Sequence, residues 1–247
     1  MKDFCKRNIL PAAVVILGFF GYSLRSGLYA VAVDSKNLLV RGHPLELALW
    51  ACTAAAVLAG VLDGFTWEKW RNGIGTLVSG LGHILAAAGI ALTVLGQDLL
   101  MSPILQLWKA AGLISAALLC ASGLLLAMGK RPLFLSYAAA SVFFALHLIG
   151  HYQSWCADPQ IQNYVFSFLG GLFLMMVSYF QAAALTGMGN TKLQRLCCLL
   201  AMYCCMAAIA NTQHLILYLS CGIWGASSLY IPEFPVRKKA GEDDVPA

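Results

Sequence analysis

From Leu196 to Pro232, 37 residues in all, the chain has no Asp, Glu, Lys or Arg, and the same is true between Asp158 and Lys192. As one helix rising 1.5 Å per residue, the longer run would extend about 55 Å. The hydrocarbon of a bilayer is only about 30 Å thick. The run must therefore fold back on itself, and its polar break "NTQH" (Asn211 to His214) marks the place. Lipid also demands that every backbone N–H and C=O be satisfied within the chain, which leaves helices as the way to build such segments. Charged residues make up 11% of the chain and hydrophobic ones 60%, against about 25% charged in a soluble domain. The sequence predicts an all-α fold, a polytopic transmembrane helical bundle of about eight spans. These are placed at 9–29, 44–62, 73–95, 104–128, 132–150, 160–185, 195–211 and 213–231. Residues 1–8 are expected to be a cytoplasmic N-terminus. Residues 232–247, polar and proline-punctuated, are expected to be a disordered cytoplasmic tail.

Lysine and arginine set the orientation. With both termini cytoplasmic, Lys2, Lys6, Arg7, Lys69, Arg71, Lys130, Arg131, Lys192, Arg195, Arg237, Lys238 and Lys239 lie inside, against Arg25, Lys36, Arg41 and Lys109 outside. That asymmetry follows the positive-inside rule and points to a plasma-membrane protein with an even number of spans. The first segment has a second reading as a signal peptide cleaved after "AVA" (Ala30 to Ala32), which would leave seven spans in the same orientation. The net charge of +5 is spread over loops as topology signals, so no nucleic-acid partner is expected. The expected partners are the lipid bilayer and either another membrane protein or further copies of the chain.

Prolines 44, 103 and 159 open three of the outward-to-inward helices, the position where a missing N–H costs nothing. The aromatics Trp50, Trp108, Tyr164 and Tyr218 recur at intervals of 58, 56 and 54 residues. Both patterns fit four tandem helical hairpins, and even spacing of eight spans gives similar intervals without duplication.

The residues able to carry chemistry are few. His83 lies deep in the third span, and Gly75, Ser79, His83 and Ala87 share one face of small side chains. Such a face packs against neighbouring helices, so His83 is expected to point into the bundle, bonded to a carbonyl or hydroxyl or lining a solute path with Ser79. Four of the five histidines (His43, His147, His151 and His214) fall at the outer ends of spans, with Cys156 and Asp158 on the same side. His147 and His151 are four residues apart, a spacing that presents two imidazoles to one metal. His214, His43, Cys156 or Asp158 would complete a tetrahedral set if the bundle brings the outer ends together. The bland alternative is that wet helix ends tolerate histidine. Haem fits poorly, because two histidines on one helix face cannot sit on opposite sides of one iron. No cofactor is demanded by the pattern; a metal or haem at these histidines is the alternative.

The favoured expectation is binding or facilitated passage of a small solute through an outward-opening cavity lined by His83, Ser79, His147 and His151. Two others stand beside it. One is a membrane anchor or scaffold that holds a partner through small-residue faces such as Gly60-x-x-x-Gly64. The other is a metal- or haem-binding redox subunit. No paired acids and no nucleophile with a neighbouring base suggest an enzyme.

Overall fold

The computed structural model describes residues 2–32, 39, 42–66, 74–96, 103–157 and 164–231. The fold is all-α: α1 (Lys2–Val31), α2 (Pro44–Thr66), α3 (Ile74–Gly96), α4 (Pro103–Ala127), α5 (Phe134–Ala157), α6 (Val165–Leu185), α7 (Thr191–Ile209) and α8 (Leu215–Ser227), the last running into a 3-10 turn at Ser228–Tyr230. Seven are long and apolar enough to cross a bilayer, and Leu215–Tyr230 is a shorter eighth. By the length and composition of its helices this is a multi-pass membrane protein. The long uncharged run breaks between Ile209 and Leu215, at the polar tetrapeptide. The expected tail, 232–247, lies outside the described residues.

Helix ends differ from the hydropathy boundaries for a physical reason: hydropathy marks where lipid begins, whereas caps mark where a helix begins. Asn190 accepts from the backbone N–H groups of Lys192 and Leu193 (3.1 and 3.3 Å), which starts α7 at Thr191, ahead of the apolar stretch. α5 likewise runs on to Ala157. Residues 2–8, expected as an N-terminal extension, continue α1. Pro44 and Pro103 open α2 and α4, while α6 starts at Val165 and Pro159 lies outside the described residues. α4 and α6 share a C-terminal design. Gly129 (φ 70°) and Gly187 (φ 83°) take the left-handed conformation. The next N–H in each case bonds five residues back, Lys130 to the Leu125 carbonyl and Met188 to that of Ala183, a Schellman turn. Residues 186–192, TGMGNTK, thus form a glycine turn followed by an Asn cap.

α3 to α8 form a closed ring in which each helix packs on the next and α8 packs back on α3. Side chains at the closing contact are pared down. A Cβ on Gly82 would lie 1.8 Å from Ser227 Oγ, and one on Gly89 1.7 Å from Ser220 Oγ. The two contacts are seven residues apart on each helix and run in opposite directions, so α3 and α8 are antiparallel over two turns. Both serines donate to carbonyls of their own helix, Ser227 to Trp224 (2.9 Å) and Ser220 to Ile216 (2.7 Å), which satisfies them without water. This is the membrane mode of packing, with close approach through small residues.

α1 and α2 pair with each other outside the ring and lie against α7. Three polar contacts fix this hairpin along α7. Arg195 and Asp63 form a buried ion pair with N···O of 2.7 Å, Thr53 and Tyr203 share a hydroxyl hydrogen bond of 2.9 Å, and Arg25 donates to the Ala207 carbonyl at 2.9 Å. Gly60 and Gly64 face α7 as well, against Leu196, Leu199 and Lys192. The small-residue face expected to hold a partner is thus used within the chain, where the tethered α7 occupies it.

Candidate metal centre

α5 builds the centre by helical spacing. Tyr137, Ala140, Phe144, His147 and His151 follow one face and are at most 4% exposed. Leu135, Val142 and Ile149 on the other face are all more than half exposed, as side chains toward lipid should be. Tyr137, His147 and His151 consequently point into the bundle. His214 arrives from the opposite side. It stands in the connection between α7 and α8, immediately before Leu215, and its backbone N–H donates to Thr212 Oγ1 at 3.1 Å. That local turn directs its ring toward α5.

The three imidazoles meet at one end of the ring. Their centroids are 4.5 Å apart for His147 and His151, 4.5 Å for His151 and His214, and 5.2 Å for His147 and His214. One ring nitrogen from each lies within 4.8 Å of the other two, and all three residues are at most 5% exposed. Three imidazoles each holding one tetrahedral ion at about 2 Å have centroids about 5 Å apart, so closing this cluster on an ion takes a shift of about an ångström. A haem held between two of them would need the rings further apart, on opposite faces of the iron.

Hydrogen bonding reinforces the point. Among the described residues, His147 Nδ1 and His214 Nδ1 are buried with no hydrogen-bond partner. Each such atom costs about 1–3 kcal/mol while unpaired, and an ion held by the cluster would give it a partner.

Of the other residues read from the sequence, His83 and Ser79 are fully buried on the interior face of α3 and belong to a different cluster. His83 Nδ1 lies 2.7 Å from the Ser79 carbonyl and Nε2 lies 3.0 Å from Tyr137 Oη. A carbonyl can only accept, so Nδ1 carries the proton and Nε2 accepts from the tyrosine. Both nitrogens of that ring are engaged. His43 instead accepts from the Leu45 N–H at the start of α2 (3.3 Å). Cys156 is in the last turn of α5 with its side chain outside the described residues, and Asp158 lies outside them altogether. Cys197, Cys198, Cys204 and Cys205 of α7, two doublets seven residues apart, are buried as free thiols in the core.

Sequence reasoning missed the residues around the triad. Trp108 of α4 stacks on His147 (centroids 6.1 Å, 27°), and Tyr218 of α8 lies 3.4 Å from His147 Nε2. Both stood out only as repeating aromatics, although Tyr218, one turn from His214, had a signal that placed it beside the cluster. Protein-family models, curated proteins and solved structures contain no match to this chain.

Proposed function

We propose that this protein binds a transition-metal ion within the membrane through His147, His151 and His214. The observation that carries the reading is the convergence of three buried imidazoles, two of them with an unpartnered Nδ1. Three nitrogen donors leave the fourth position of a tetrahedral ion for water or another ligand. All-imidazole donors favour Zn²⁺, Co²⁺, Ni²⁺ or copper over Mg²⁺ and Ca²⁺, which take oxygen. The excess of lysine and arginine in alternate loops supports an external position for the centre, in a plasma-membrane protein with both termini cytoplasmic. The fully engaged nitrogens of His83 favour this reading over solute passage along His83 and Ser79.

Purified protein stripped with chelator and titrated with Zn²⁺ should bind one equivalent. His151→Ala should weaken binding about 100-fold or more, because two imidazoles make an incomplete set. Absence of stoichiometric binding in the wild type, or equal affinity in the variant, would refute the proposal.

A further inference from the structure

We infer that His147 ligates through Nδ1 and that Tyr218 is the positioning residue that makes it do so; this rests on the metal-binding reading above. Tyr218 Oη donates to the Ser167 carbonyl on α6 at 3.0 Å. Its only proton is then committed, and toward His147 it can act only as an acceptor. The contact at 3.4 Å between His147 Nε2 and Tyr218 Oη is therefore an N–H···O bond with the imidazole donating. A neutral imidazole has one N–H, so with the proton on Nε2 the lone pair is on Nδ1. That is the atom left buried without a partner, in the ring packed against His151 and His214.

The relay runs from α5 through α8 to a main-chain carbonyl of α6, three members of the ring. A backbone acceptor is always present and cannot donate, so the tautomer is fixed by the fold. Metal-binding histidines commonly donate their second nitrogen in this way, and loss of the partner typically weakens binding 10- to 100-fold. Trp108, stacked on the same imidazole, restricts its tilt, so Tyr218 sets the tautomer and Trp108 the plane.

Zn²⁺ affinity of wild type and Tyr218→Phe, with the melting temperature of each metal-free protein, tests the assignment. The expected result is 10- to 100-fold weaker binding by Tyr218→Phe, with the metal-free melting temperature lowered only by the loss of the two hydrogen bonds of Tyr218 Oη. A role in packing alone would lower the melting temperature and leave affinity unchanged, and that pattern overturns the inference. A wild type that binds no Zn²⁺ refutes the metal reading itself. Should the variant fail to fold, wild-type protein labelled with ¹⁵N-histidine and loaded with ¹¹³Cd²⁺ decides. A one-bond ¹¹³Cd coupling at His147 Nδ1 with the proton retained on Nε2 supports the assignment, and coupling at Nε2 overturns it.

Discussion

Gly123→Ala will destabilise the bundle by about 3 kcal/mol, the upper range for overpacking a tight contact. A methyl at this position of α4 would lie 2.7 Å from the Gly80 carbonyl oxygen of α3 and 2.9 Å from Ile84 Cγ1. The relation is reciprocal, since a methyl on Gly80 would lie 2.6 Å from the Gly123 carbonyl oxygen and 2.9 Å from the Ala127 nitrogen. Side chains can rotate away from such an intrusion, but helical backbone cannot. The two helices must separate, and every contact along their shared length loosens with them. Gly80→Ala should have an effect of similar size. The double variant should cost less than the sum of the two, because one separation accommodates both methyls. Gly27→Ala is the control. Its methyl meets only Leu45 Cδ1 at 3.8 Å, and alanine is the better helix former by about 0.5–1 kcal/mol. Reversible unfolding in mixed micelles measures all four, and a neutral Gly123→Ala would show that α3 and α4 do not cross at these glycines.

Arg195→Met should be the second severe lesion, about 3–5 kcal/mol, the usual result of removing one partner from a buried ion pair. The guanidinium meets Asp63 through two nitrogens at 2.7 Å, with both side chains at most 6% exposed. Deleting the cation removes the counter-ion from a buried carboxylate. Asp63→Leu combined with Arg195→Met should recover most of the loss, because the desolvation of both charges disappears together. The damage should be local. The pair joins α2 to α7, and the ring from α3 to α8 closes without α1 or α2. Limited proteolysis of Arg195→Met should therefore release the first hairpin while Zn²⁺ binding persists. Loss of both at once would show that the hairpin and the ring fold as one unit.

The division between what the sequence revealed and what it hid follows the range of each interaction. Element type was legible because lipid imposes it residue by residue: an uncharged run of 37 positions must be helical, and it must break where polar residues allow. The inward direction of His83 was legible from Ser79 and Ala87 on the same face. The pairing of His147 with His151 followed from one helical turn. Their meeting with His214 was open, because it depends on α5 and α8 lying across the ring from each other, a fact of topology that no local pattern contains. The Asp63–Arg195 pair had a partial signal. A carboxylate near a span end needs a counter-ion, yet several inner cations were available, and only the packing of α2 on α7 selects Arg195. Trp108 and Tyr218 were visible as members of a repeat, but their convergence on His147 was not, since a repeat gives position along helices and says little about which faces meet.

Zinc K-edge X-ray absorption on protein loaded with one equivalent of Zn²⁺ and desalted tests the central claim most directly. The account predicts four light-atom ligands at about 2.0–2.1 Å, with the multiple-scattering pattern of three imidazoles, reduced to two in His214→Ala. A protein that emerges from desalting without zinc, or a spectrum with no imidazole scattering, would contradict it.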